Sequence, residues 1–86
     1  MDIRELICEL GYADAIVFDN PDFDDAIVGV TDDSRVVYDY DKMVESLAKQ
    51  DSITELEAIE FIDYNTLRAI PYAGECAPIV MYRLGE

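Results

Sequence analysis

The sequence predicts one α+β domain spanning residues 1–86: a short helix, a three-stranded antiparallel sheet, two helices and a C-terminal strand. With only 86 residues the chain has room for one core, and its 51% hydrophobic residues are too many for a disordered acidic tail. Helical apolar spacing in some segments and β-rich runs in others, separated by turn residues, then indicate both kinds of element.

The first elements are a helix and a strand. Apolar residues at helical spacing favour a helix over residues 2–10, with Asp2 and Glu5 as a capping box and Gly11 as its end. Residues 15–18 are β-formers and predict the first strand. The strand is followed by a cluster of turn residues, which predicts a loop.

A hairpin comes next. Residues 26–31 and 35–40 flank Asp32-Asp33-Ser34, a pattern typical of two antiparallel strands joined by a short acidic turn.

Two further helices and a strand complete the prediction. Asp39 or Asp41 can cap a helix that ends near Gln50 and carries Met43, Val44, Leu47 and Ala48 on one face. Ser52 and Glu55 form a second capping box, and we expect the helix that it opens to end near Tyr64, with Asn65 as its stop. The apolar run at 78–82 predicts the final strand.

Composition argues against catalysis. The chain has no histidine, which removes imidazole bases and histidine zinc ligands, and its four glycines fit no phosphate-binding loop. We therefore expect neither an enzyme nor a cofactor. The loop 19–25 has the oxygen content of a calcium site but lacks that motif's glycine and final glutamate, so a metal-binding module stays an alternative.

Charge indicates the kind of partner. Twenty Asp and Glu against six Lys and Arg give a formal charge of −14, more than solubility requires. A cationic partner is favoured, whereas nucleic acid and anionic membranes would be repelled. No apolar stretch has the length of a membrane span, and the two cysteines form no CxxC motif, so we expect a cytoplasmic protein.

The acids are concentrated in the loop 19–25, at the hairpin turn and at the end of the following strand, with a further stripe on the third helix that Glu55 and Asp63 extend. Pairs two residues apart in extended chain project to one side about 6.5–7 Å apart, a spacing similar to that of phosphates. The candidate partner-binding residues are Asp22, Asp24, Asp25, Asp32, Asp33, Asp39, Asp41, Glu57 and Glu60, with Tyr38 and Tyr40 as apolar anchors.

The third helix carries apolar residues around much of its circumference, which predicts cover on more than one side. These residues are Leu56, Ala58, Ile59, Phe61 and Ile62. A homodimer contact through this helix is an open alternative.

The segments AIEFIDYNTLRAIPYAG (58–74), APIVMY (77–82) and DDAIVGV (24–30) resemble small uncharacterised proteins of phages and mobile elements in gut Firmicutes. Size, charge and element order are also similar to those of acidic anti-CRISPR proteins that block RNA-guided type II nucleases by imitating DNA. The resemblance implies an inhibitor that fills the basic nucleic-acid groove of a host defence nuclease. A non-inhibitory phage accessory or assembly protein is the alternative.

Overall fold

The computed structural model describes residues 3–12, 14–19 and 22–84 and has the predicted α+β class. Helix α1 runs from Ile3 to Glu9, as expected. Gly11 follows with a φ of 95°, a left-handed conformation that glycine adopts without a steric penalty and that ends the helix. The capping role of Asp2 lies outside the described residues.

The sheet has three strands in the order β1-β2-β3. Strand β1 (Ile27–Val30) and strand β2 (Val36–Asp39) form the predicted antiparallel hairpin, with a bulge between Ile27 and Gly29. The turn is closed by the Thr31 N–H, which donates to the Arg35 carbonyl at 2.8 Å. The hairpin prediction is therefore confirmed.

The sheet differs from the prediction in which segment supplies its third strand. Residues 15–18 run as irregular chain outside the sheet, and the second neighbour of β2 is β3 (Ile79–Met81), which pairs with it in parallel. The sheet is thus mixed rather than wholly antiparallel. Residues 40–78 form a connection long enough for a parallel return, whereas residues 15–18 contribute side chains to the core: Val17 and Phe18 pack against it.

Strand β2 leads directly into helix α2 (Tyr40–Asp51). The Asp39 side chain accepts a hydrogen bond from the Lys42 N–H at 3.3 Å, so Asp39 is the N-cap, one of the two candidates that the sequence offers. Met43, Val44 and Leu47 are buried on the apolar face of α2, as expected.

The next helix begins later and continues further than predicted. Helix α3 (Glu55–Phe61) is capped by a box of Thr54 and Glu57, not of Ser52 and Glu55. Ser52 instead ends α2 in the left-handed region, with a φ of 54°. Asn65 does not stop the helix, because it lies within a π-helical turn that continues to Thr66. Its side-chain amide donates to the Phe61 carbonyl at 3.2 Å.

That path contains three further pieces. They are a π-helical turn (Ile62–Thr66), helix α4 (Leu67–Ala69) and a 3₁₀ turn (Ile70–Tyr72).

One core joins these elements. Its largest fully buried side chains are Tyr38, Phe23, Met43, Leu47 and Ile62. On α3 only part of the apolar circumference is covered: Ala58 and Ile62 are buried, whereas Leu56 is 65% and Phe61 37% exposed. Among the described residues, no helix is both long and apolar enough to span a bilayer.

Candidate functional site

The three regions in which the sequence concentrates acids lie at two ends of the hairpin. Ile27 is paired with Tyr38, so the start of β1, after Asp25, and the end of β2, at Asp39, are close together. The turn that carries Asp32 and Asp33 is at the other end, about 13 Å away for four residues of strand. The three regions therefore do not form one face.

The acids of the loop before β1 bind the protein itself. The guanidinium of Arg4, on α1, contacts Asp24 at 2.9 Å and Asp19 at 2.5 Å, and it also donates to the Phe18 carbonyl. Hydrogen bonds from Arg4 to Asp24 and then to Asp19 raise the pKa of Arg4 above its ordinary value. These carboxylates attach the loop to α1.

The remaining acids of this loop differ in their surroundings. The Asp22 carboxylate accepts a weak 3.4 Å bond from the Asp24 N–H, and its carbonyl accepts from the Gln50 side chain at 2.8 Å. Asp24 lies in a 3₁₀ turn, so the spacing expected for extended chain does not occur between Asp22 and Asp24. Asp25 is exposed. Within the described ranges, no three Cys, Asp or Glu side chains form a group that could hold a metal ion.

Tyr38 and Asp39 are buried, so neither can serve as the surface contact that the sequence suggested. Tyr38 is fully buried, and its hydroxyl accepts a hydrogen bond from the Phe18 N–H at 3.0 Å. Burial raises the pKa of Tyr38 to about 12. The Asp39 side chain is 3% exposed and lies 2.7 Å from the Arg83 guanidinium.

The charge of Asp39 is stabilised internally. Burial by itself would raise the pKa of Asp39, but hydrogen bonds from Arg83 and from the Lys42 amide hold it below its ordinary value. Asp39 thus caps α2 and anchors the segment after β3. Asp41 lies in the first turn of α2 rather than in extended chain, so the predicted pairing of these two acids does not occur.

The structure instead brings together acids of α2 and α3. A groove of about 330 Å³ lies between the start of α2, the start of α3 and the segment after β3. It is lined by Tyr40, Asp41, Val44, Glu45, Glu55, Ile59 and Arg83. We call this the α2–α3 groove. Its three carboxylates are exposed to solvent, and its floor is apolar.

Tyr40 forms one wall of the α2–α3 groove. Its hydroxyl donates to Asp63 at 2.7 Å, and its ring lies 4.9 Å from that of Tyr82, tilted by 37°. Burial and the bond to Asp63 raise the pKa of Tyr40 above its ordinary value, so it stays protonated at neutral pH. The Tyr82 side chain is 60% exposed. The groove therefore combines carboxylates with an accessible aromatic surface.

The predicted acidic stripe of α3 adjoins this groove, because Ile59 lines both and Asp63 contacts Tyr40. Glu60 and Tyr64 are exposed, and the Arg68 guanidinium lies 5.0 Å from the Tyr64 ring centre. Glu57 accepts from the Thr54 N–H at 3.0 Å as part of the capping box. The whole stripe lies on one continuous helical segment, residues 57–68. Because no second element of the described chain encloses it there, it is a shallow surface and not a cavity.

Of the candidate residues, Tyr40, Asp41, Glu57 and Glu60 lie on this combined surface, which we call the acidic–tyrosine surface. Sequence reasoning missed Glu45 and Arg83. Glu45 could have been found, since it lies four residues after Asp41 and such positions share a helix face. Arg83 carried no sequence signal, because its contact with Asp39 depends on how β3 returns to β2.

Comparison of the chain with family descriptions, with curated proteins and with solved structures gives no match.

Proposed function

We propose that this protein is a phage-type inhibitor that binds the positively charged nucleic-acid groove of a host defence nuclease in the bacterial cytoplasm. The acidic–tyrosine surface is the contact region. The function is binding, not catalysis, and the best-matched target is an RNA-guided type II nuclease, whose channel for the guide–target duplex is strongly positive.

The observation that carries this proposal is the convergence of Asp41, Glu45 and Glu55 around the α2–α3 groove. Asp41 lies in the first turn of α2 and Glu45 in its second turn, whereas Glu55 is the first residue of α3. The fold brings the three together at one groove. In a chain of charge −14, such a group gives the long-range attraction a local focus.

Exposed aromatic side chains supply the apolar contact area that the acids lack. Tyr64 is 69% and Tyr82 60% exposed. Tyr64 lies on the acidic–tyrosine surface, and Tyr82 lies beside it, against Tyr40. Tyrosines of this kind provide contact area at low entropic cost and are enriched where binding energy concentrates. The surface thus offers charge for attraction and apolar area for affinity.

Competition with nucleic acid tests the proposal. We expect the protein to bind a type II nuclease loaded with guide RNA, to lower its DNA cleavage, and to be displaced by target DNA, because both ligands use the same cations. Affinity should fall as salt rises from 0.05 to 0.5 M, since screening weakens exposed charge pairs. Equal binding to the enzyme with its DNA site already filled would show that the groove is not the target.

One observation favours the non-inhibitory accessory or assembly role as a second candidate. Leu56 is 65% and Tyr72 89% exposed, apolar area that a partner or second copy can cover without using the acids. In that role, neutralising the acidic–tyrosine surface would leave phage assembly and host growth unchanged.

A further inference from the structure

A second groove lies beside β1, on surface that shares no lining residue with the α2–α3 groove. It has a volume of about 340 Å³ and lies between α1 and β1. Ile3, Leu6 and Ile7 of α1 line it, together with Leu10 just after the helix and the whole of β1. Among the described residues, none that lines this groove is charged, in a chain whose residues are 30% charged.

Strand β1 lines this groove along its whole length, since all of residues 27–30 take part. Strand β1 pairs with β2 on one side. Among the described residues no other strand pairs with it, so its second edge is an outer edge of the sheet.

An outer strand of this kind can accept another strand. Pro, Lys and inward-pointing charges commonly protect strand edges, and β1, with the sequence IVGV, has none of them. It is short and contains a bulge, which limits the length of any added strand but leaves its outer edge uncharged. Val28 is 45% and Leu6 40% exposed, so apolar area is available beside the outer edge of β1.

The charges at the two ends of β1 indicate which kind of partner its edge binds. Asp25 lies just before β1, and Asp32 and Asp33 follow shortly after it, so exposed carboxylates stand at both ends of an uncharged edge. We infer that the β1 edge binds, by strand addition, an extended partner segment of alternating apolar residues with Lys or Arg at both ends. A second copy of this chain fits less well, because antiparallel β1–β1 pairing places Asp25 of one copy near Asp32 of the other.

This inference concerns a different surface from the acidic–tyrosine surface and does not depend on the inhibitor proposal. Strand addition gives affinity through main-chain hydrogen bonds, whereas charge attraction alone does not need them. Blocking the backbone of a peptide while keeping its charge therefore separates the two kinds of binding.

The test uses the whole protein and two synthetic peptides. The first has the sequence Lys-Lys-Val-Thr-Val-Thr-Val-Lys-Lys, and the second carries N-methyl groups on two adjacent central residues, which removes donors from both edges. We expect the first peptide to bind with amide shifts centred on β1, and the second about tenfold more weakly. Equal affinities would overturn the inference.

Matched variants locate the site. Val28→Lys adds a positive charge to the β1 edge and should weaken peptide binding about tenfold, whereas Leu84→Lys adds the same charge beyond β3, on the far side of the sheet, and should leave it within about twofold. The amide variant Asp41→Asn/Glu45→Gln/Glu55→Gln should also leave it within about twofold. If that variant lost peptide affinity as strongly as Val28→Lys, the peptide would be binding the α2–α3 groove.

Sedimentation of the protein without peptide completes the test. We expect a monomer at 0.05 and 0.5 M salt. A dimer that strengthens with salt and protects the β1 amides from exchange would make a second copy the occupant and overturn the inferred partner.

Discussion

The loop before β1 and the start of α2 both carry acids, yet these acids have different roles. In the loop, Asp19 and Asp24 bind Arg4, and at the end of β2 the buried Asp39 binds Arg83. Two residues after Asp39, the carboxylate of Asp41 is exposed at the α2–α3 groove, and that of Glu45 follows it. Acid content therefore does not identify an interaction surface. The acids that form ion pairs with Arg4 and Arg83 stabilise the fold. The exposed acids of the α2–α3 groove, which Arg83 also lines, are accessible to a partner.

The largest expected effect tests the structural side of this comparison. Asp39→Ala removes the cap of α2 and the buried ion pair with Arg83, so we expect a loss of about 3 kcal/mol in the free energy of unfolding. Asp41→Ala replaces an exposed acid two residues later and should lower the free energy of unfolding by only about 0.5 kcal/mol. Urea unfolding measures both. Similar losses would mean that the two acids do not differ as the structure indicates.

The second effect tests the binding side. Replacing Asp41, Glu45 and Glu55 by their amides should weaken binding to the guide-loaded type II nuclease about tenfold, because each exposed charge pair contributes a few tenths of a kcal/mol to about 1 kcal/mol. The matched control neutralises one Asp and two Glu elsewhere: Asp32→Asn/Glu9→Gln/Glu75→Gln, all exposed. Affinity is measured by titration calorimetry.

An equal loss in both triple variants would mean that net charge, not the α2–α3 groove, drives association. The same titrations at 0.5 M salt should narrow the difference between the groove variant and the wild type, because screening already removes part of the attraction there.

The elements were mostly predictable because their signals are local. Apolar spacing in 3–9 and 40–51, and the turn after residue 31, depend on neighbours along the chain. The strand expected at 15–18 failed because β-formers also suit an extended segment that packs on a core without pairing. The parallel pairing of β3 could not be foreseen, since it depends on the return of the chain after two helices.

The candidate site was harder to predict for the same reason. Which acids stabilise the fold depends on the ion pairs that they form, and the contacts Arg4–Asp24 and Arg83–Asp39 span 20 and 44 residues. No periodicity reports separations of this size. Tyr38 and Tyr40 illustrate the point: two residues apart, one lies in the core and the other forms a wall of the α2–α3 groove.

A smaller effect tests the loop. Arg4→Gln removes the cation from Asp19 and Asp24, and because Arg4 is partly exposed we expect a loss of only about 1 kcal/mol in the free energy of unfolding. Arg68→Gln, which removes an exposed charge over Tyr64, should cost at most about 0.5 kcal/mol. Thermal unfolding compares them. No difference between the variants would show that the loop does not need Arg4.

The smallest effect concerns the pH dependence of Asp39. Its pKa is lower in the folded protein than its ordinary value of 3.8, so its charge stabilises the fold above pH 3.8, and this contribution is lost as pH falls through the folded pKa. The wild type should therefore exceed Asp39→Asn in unfolding free energy at pH 6, by a margin that shrinks below pH 3.8. Comparing the two proteins at each pH cancels the titration of the exposed acids. A margin that stayed constant down to pH 2.5 would mean that Asp39 contributes by hydrogen bonding that the amide cannot replace, and not through its charge.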